Sequence, residues 1–148
     1  MKISEIMSEN NIVLKARANN KRQLLQQVAA KAAEITKADE RSIFDALLER
    51  ENLGSTGFGD RIAIPHCRLS GIDHVHGILF KLSAPIDFQS VDNKPVDIVF
   101  ALFSPEDRGA DHLTALAKVS RILKEETNLK KIRSTENEME IFSILDLA

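Results

Sequence analysis

A histidine that follows a proline, His66, is the residue of this chain best suited to chemistry. Residues 54–66 begin as a glycine-rich turn that carries hydroxyl groups and end in a short apolar run closed by Pro65. Proline fixes its own φ and biases the preceding residue toward an extended shape, so we expect His66 to leave a strand end in a defined direction. A neutral imidazole, with a pKa of about 6.5, is a good nucleophile. Its place beside an anion-tolerant loop predicts phosphoryl chemistry on histidine.

Two further residues are candidates for holding a phosphoryl group. His112 would stand in the first turn of a helix capped by Asp111, where unsatisfied N–H groups attract an anion. Arg50 precedes the glycine-rich turn and offers a fork of donors to phosphate oxygens. Each residue also has an ordinary explanation. His112 would then be an exposed residue of a first helical turn, and Arg50 a cation that complements a helix dipole.

The turn itself supplies a candidate phosphate-supporting loop, formed by Ser55, Thr56 and Gly57. It lacks the Gly-Lys-Ser/Thr ending of a P-loop and the strand–helix frame of a dinucleotide fingerprint. A tight surface connection is the commoner explanation for so many glycines. The turn is therefore consistent with phosphoryl chemistry at His66 but is not sufficient to predict it.

Two other groups of residues point to different chemistry. His74 and His76 share one face if their segment is a strand, and with His66 or His112 they would make a histidine metal site. Carboxylates with metal-ligand spacing are not evident beside them, so the sequence predicts no metal site. Cys67, the only cysteine, points away from His66 on an extended chain and is expected to pack as a small apolar residue.

Composition excludes several classes of function. Lys and Arg number 20 against 22 Asp and Glu, a net charge of −2 with neutral histidines, so we expect no nucleic-acid partner. Trp and Tyr are absent, which removes the usual stacking platforms for single strands. The N-terminus does not resemble a signal peptide, and no apolar run reaches the roughly 18 residues of a membrane span. A cytoplasmic location without membrane insertion is expected.

The hydrophobic pattern predicts one α/β domain over residues 1–148, a three-layer sandwich with a single mixed β-sheet flanked by helices on both faces. The predicted helices run from Asn20 to Thr36, from Asp39 to about Asn52, from Asp111 onward, and after a capping box at 135–138. The predicted strands cover 77–82, ended by Ala84-Pro85, and 98–103, ended by Ser104-Pro105, with a turn at 92–95. Charged residues between 121 and 133 are expected to form a solvated face.

Six sequence motifs, each present once, follow one another along the chain. They are LERENLGSTGFG at 48–59, IAIPH at 62–66, PIDF at 85–88, VDNKPVD at 91–97, FAL at 100–102 and HLTALA at 112–117. Together they resemble the type 2, mannitol/fructose-type enzyme IIA domain of the phosphotransferase system, and within that family the nitrogen-regulatory branch. The resemblance covers nearly the whole chain.

The resemblance implies that His66 accepts a phosphoryl group at Nε2 from the phosphohistidine of an HPr-like carrier, with Arg50 and His112 around that group. For the nitrogen-regulatory branch it also implies regulated target proteins that read the phosphorylation state. The family commonly has Gly-Lys after the active histidine, whereas Cys67 and Arg68 stand here. No cofactor is expected, because the phosphoryl group arrives already activated. A sugar-specific enzyme IIA that serves an enzyme IIB, and a histidine-based metal-binding protein, remain alternatives.

Overall fold

A six-stranded mixed β-sheet separates two helical layers. The computed structural model describes residues 1–148. The strands are β1 (Ile12–Ala16), β2 (Gly57–Gly59), β3 (Ile62–Ala63), β4 (His66–Leu69), β5 (His76–Ile86) and β6 (Val96–Pro105). Their order is β1-β5-β6-β3-β2, and β4 also pairs with β6. β5 runs antiparallel to β6, whereas β3 and β4 run parallel to it. β6 is therefore the central strand of the sheet.

Five α-helices cover the two faces. They are α1 (Lys21–Thr36), α2 (Glu40–Leu53), α3 (Gly109–Lys124), α4 (Glu126–Ser134) and α5 (Glu138–Leu147), and two short 3-10 helices precede β1. The core between α1, α2 and the sheet includes Val99, Ala101 and Phe103, whereas the alternate β6 residues Ile98, Phe100 and Leu102 join the core under α3, α4 and α5. The predicted three-layer sandwich is confirmed. No helix combines the length and the apolar character that a membrane span requires.

The predicted starts of the first two helices are confirmed. Asn20 caps α1, because its side chain accepts a hydrogen bond from the backbone N–H of Gln23. Asp39 caps α2 in the same way, accepting from the N–H of Ser42. Both caps satisfy a donor that the first turn of a helix leaves free, which is why these residue types mark helix starts reliably.

The predicted starts of two later helices are wrong. α3 begins at Gly109, two residues before the expected start, and Asp111 lies within its first turn, 3.6 Å from the Arg108 guanidinium. α5 is capped by Asn137, whose side chain accepts from the N–H of Glu140. Thr135, the expected cap, instead donates its hydroxyl hydrogen to the Glu140 carboxylate.

The predicted strands are too short, and one helix was missed. β5 passes through Ala84-Pro85 to Ile86, because the pairing with β6 is irregular between Lys81 and Ile86 and leaves the proline outside the regular ladder. β6 extends beyond 98–103 at both ends, and the predicted turn at 92–95 lies between these strands.

Part of the expected solvated face is α4, which buries Leu129 and Ile132.

β3 and β4 pair with β6 one after the other, in the same parallel register, with a short break between them. The pairs Ala63–Val99 and His66–Leu102 have the same offset, so the register is unbroken across Pro65. Proline has no N–H to donate to the ladder, which explains the interruption. Its carbonyl oxygen still accepts from the N–H of Leu102 at 3.0 Å. His66 therefore opens β4, and the prediction that it leaves a strand end is wrong.

Candidate active site

The imidazole of His66 makes hydrogen bonds at both ring nitrogens. Nδ1 lies 2.8 Å from the carbonyl oxygen of Ile64. A carbonyl oxygen only accepts, so this contact assigns the ring proton to Nδ1 and leaves the lone pair on Nε2. Arg50 donates from Nε to that Nε2 over 3.4 Å. Nε2 is therefore the nucleophilic atom of the ring.

Burial lowers the pKa of His66 from its usual value. The hydrogen bond to Ile64 opposes this shift, the charge of Arg50 adds to it, and the charge of Glu51 opposes it. The net direction is downward, so the neutral ring persists below the usual histidine pKa of about 6.5. This is the form in which Nε2 acts as a nucleophile.

His112 lies next to His66. The ring centroids are 5.5 Å apart and the ring planes are inclined by 47°. His112 is buried, and its Nδ1 lies 2.6 Å from the hydroxyl of Ser104, near the end of β6. When Ser104 donates to Nδ1, the ring proton resides on Nε2, which can then donate to an anion. Burial lowers the pKa of His112, and the charges of His66 and Arg68 add to the shift.

Arg50 lies in the last turn of α2 and is half-buried. Its Nη1 donates to the carbonyl oxygen of Gly54 at 2.9 Å, in addition to the contact of Nε with His66. The contact with Gly54 confirms the helix-end explanation. The contact with His66 places the guanidinium beside Nε2, and the binding of a phosphoryl group by Arg50 stays a prediction.

A single depression of about 400 Å³ brings the three predicted residues together. It is lined by Ala46, Glu49, Arg50, Leu53, His66, Cys67, Arg68 and His112. Sequence reasoning missed Glu49, Leu53 and the supporting Ser104. Glu49 and Leu53 stand with Ala46 and Arg50 at the helical spacing i, i+3, i+4 and i+7, so this shared face of α2 is the signal that would have found them. For Ser104 the signal is weaker, because its contact with His112 depends on how α3 packs on β6.

The predicted phosphate-supporting loop lies outside this depression. Ser55 donates its hydroxyl hydrogen to the carbonyl oxygen of Phe88 at 2.6 Å. Thr56 donates both its hydroxyl hydrogen and its backbone N–H to the Glu51 carboxylate, at 2.5 and 2.8 Å. The hydroxyl hydrogens are thus used within the fold, and phosphate support by Ser55, Thr56 and Gly57 stays a prediction.

The remaining candidates do not join the depression as ligands or nucleophiles. Burial raises the pKa of Cys67 to about 12, so this residue is a packed thiol, as expected. The grouping of His74 and His76 with His66 or His112 is wrong. The only convergence of three or more His, Cys, Asp or Glu side chains that fits an ion adds Asp73 to His74 and His76. A carboxylate therefore does accompany the two histidines.

Comparisons with known proteins identify the family of this chain. The profile of the family described as "Phosphoenolpyruvate-dependent sugar phosphotransferase system, EIIA 2" matches residues 5–147. The chain belongs to this family. A nitrogen regulatory protein of Bradyrhizobium diazoefficiens is 44% identical over 147 residues, covering 99% of this chain and 96% of the relative. A nitrogen regulatory protein of Pseudomonas aeruginosa is 34% identical, covering 98% and 95%.

The fold of this chain is also similar to that of a solved structure. The nitrogen regulatory protein IIA-Ntr of Neisseria meningitidis superposes with a TM-score of 0.92 at 29% identity, covering 97% of this chain and 98% of that one. The resemblance to the nitrogen-regulatory branch is thereby confirmed.

Proposed function

We propose that this protein accepts a phosphoryl group on His66 Nε2 from the phosphohistidine of an HPr-like carrier in the cytoplasm. Its phosphorylation state would then signal to regulated target proteins in nitrogen-related regulation. The observation that carries the proposal is the hydrogen bond from His66 Nδ1 to Ile64, which puts the ring proton on Nδ1 and makes Nε2, beside Arg50 and His112, the nucleophilic nitrogen. The long hydrogen bond that Arg50 donates to Nε2 would pass to the phosphoryl oxygens as the group arrives. Membership of the EIIA 2 family supports the same reaction.

In this reaction Nε2 attacks the phosphorus atom in line with the donor's P–N bond. The new P–N bond forms as the old one breaks, through a loose, metaphosphate-like transition state, and the released electron pair returns to the donor ring. The Nδ1 proton of His66 stays on its bond to Ile64, whose carbonyl dipole stabilises the charge that develops on the ring. Arg50 and the Nε2–H of His112 are suited to meet the charge on the equatorial oxygens.

The relatives favour regulation over sugar uptake, because those described above are named nitrogen regulatory proteins. Phosphorylation would place negative charge in a depression lined by Arg50, Arg68 and two imidazoles. Glu49 also lines the depression, and the phosphoryl group would lower the local charge by about 1.5 to 2 units. Such a loss of positive charge is a change that a protein partner can recognise. The partner is identified only as a surface that discriminates these two charge states.

The test is replacement of the acceptor, His66→Ala. After incubation with the phosphorylated carrier, intact-mass spectrometry under mildly alkaline conditions should show one phosphoryl group on the wild type and none on the variant. Circular dichroism of the variant should match the wild type, and His112→Ala should still be phosphorylated, more slowly. A fully phosphorylated His66→Ala protein would refute the acceptor assignment. Rapid loss of the group to a fructose-type enzyme IIB would favour the sugar-transfer alternative over regulation.

A further inference from the structure

We infer that Asp73, His74 and His76 form a binding site for a divalent transition-metal ion such as Zn²⁺. His76 is the first residue of β5, and the other two precede it in the connection from β4. One ligand atom from each of the three side chains lies within 4.8 Å of the others. These residues take no part in the proposed phosphoryl transfer, so this site stands independently of it.

The three groups are close enough to converge on one ion. Tetrahedral Zn²⁺ with bonds of about 2.0–2.1 Å keeps its ligand atoms about 3.4 Å apart, so the largest gap has to close by roughly 1.4 Å. Asp73 and His74 are exposed and free to make this adjustment by side-chain rotation. The backbone of His76 is held in the sheet opposite Phe103. The site thus combines one fixed ligand with two adaptable ones.

Two of the proposed ligands are already in contact. His74 Nδ1 lies 2.6 Å from the Asp73 carboxylate. On metal binding, bonds from both groups to the ion would replace this hydrogen bond, because a carboxylate held on Nδ1 cannot also reach an ion on Nε2 of the same ring. The rings of His74 and His76 are only 4.1 Å apart.

The ligand set indicates which ions the site would prefer. Two imidazole nitrogens and one carboxylate oxygen suit Zn²⁺, Ni²⁺ or Cu²⁺, whereas Mg²⁺ and Ca²⁺ prefer oxygen ligands throughout. Three ligands from the chain leave at least one coordination position for water or for a side chain of another molecule. The site is separate from the phosphoryl depression, whose lining includes none of these three residues.

The experiment is calorimetric titration of the tag-free wild-type chain with ZnCl₂. We expect one ion per chain. His74→Asn, His76→Asn and Asp73→Asn should each weaken binding at least about 10-fold, because each variant removes one ligand of the ion. Because Asp73 and His74 are exposed, their variants should keep the native circular dichroism. Amide spectra should locate the Zn²⁺-dependent shifts at residues 73–76.

A second variant separates this site from the other pair of close imidazoles. Binding that survives in His66→Ala and is lost in His74→Asn supports the proposed site. Binding that is lost in His66→Ala and survives in His74→Asn would move the ion to the phosphoryl depression and overturn the proposal. Absence of binding below millimolar Zn²⁺ in the wild type would also overturn it.

Discussion

At the scale of single residues, Arg50 contacts both the end of α2 and the imidazole of His66. Its Nη1 holds the Gly54 carbonyl and its Nε faces His66 Nε2. A guanidinium presents several donors in one plane, so one side chain can close the helix and still offer hydrogen bonds to an incoming phosphoryl group. The contact with Nε2 also places positive charge where the equatorial oxygens would arrive.

Replacing Arg50 by alanine should slow phosphoryl transfer by about 100-fold, because one preoriented donor to the developing charge is lost. The acceptor should remain His66, which peptide mapping of the phosphorylated variant would verify. Arg50→Lys is the matched variant, since it keeps the charge but not the fork of donors, and its rate should fall between the two. Rapid-quench kinetics with the phosphorylated carrier measures all three rates. Equal rates for wild type and Arg50→Ala would reduce Arg50 to a helix-end cation.

The sequence predicted which side chains meet in the depression better than it predicted the groups that hold them. Pro65 and the glycine-rich turn indicated His66, and helix position indicated Arg50 and His112, because residue type and local spacing carry that information. The hydrogen-bond partners of the two rings, Ile64 and Ser104, follow from the bent path between β3 and β4 and from the packing of α3. Short sequence patterns do not predict such contacts, because the contacts depend on how the elements pack.

At the scale of elements, Glu51 ties α1, α2 and the turn after α2 to one another. The residue is buried, with 6% of its surface exposed. It accepts hydrogen bonds from Lys21 Nζ of α1 at 2.9 Å and from the backbone and hydroxyl of Thr56. Because Glu51 directly follows Arg50, the same contacts fix the end of α2 from which the guanidinium projects.

Glu51→Gln should lower the free energy of unfolding by about 1.5–3 kcal/mol, because an amide nitrogen cannot accept the bonds that the carboxylate oxygen accepts. It should also slow phosphoryl transfer, since the end of α2 loses a restraint. Urea denaturation followed by far-UV circular dichroism measures the stability, as the chain has no Trp or Tyr. The matched control is Glu34→Gln on α1, where the carboxylate is exposed and pairs weakly with Lys31 at 3.6 Å. A loss of stability no larger than in this control would contradict the structural role of Glu51.

Element boundaries were predictable where one side chain decides them. Asn20 and Asp39 cap their helices through bonds made within four residues, so the signal is local. α3 begins at Gly109, and the residue at its N-cap position, Arg108, makes no side-chain capping bond. Pro85 is tolerated in β5 because the ladder is irregular there. Both outcomes depend on neighbours distant in sequence. The order of the strands in the sheet depends entirely on contacts between residues that are distant in sequence.

At the scale of the whole molecule, the sheet assembles the site from distant parts of the chain. β4 places His66 beside Leu102 of β6, and β6 then leads to Ser104 and to α3 with His112. α2 packs against β4 from the other helical layer and supplies Arg50. The depression therefore lies where both helical layers meet the central strand, and burial there lowers the pKa of both its histidines.

Acid should destabilise the whole fold before any carboxylate is protonated. The pKa values of His66, His76 and His112 are lowered by burial, whereas unfolded histidines titrate at about 6.5. Below that pH the unfolded chain binds more protons than the folded one, so the free energy of unfolding falls with pH until the folded rings are protonated. Carboxyls add to this loss of stability only from about pH 5 downward. Urea denaturation by circular dichroism between about pH 8 and pH 5 measures the slope, and His66→Gln, which cannot titrate, should reduce it. An unchanged slope in His66→Gln would show that protonation of His66 is not linked to unfolding.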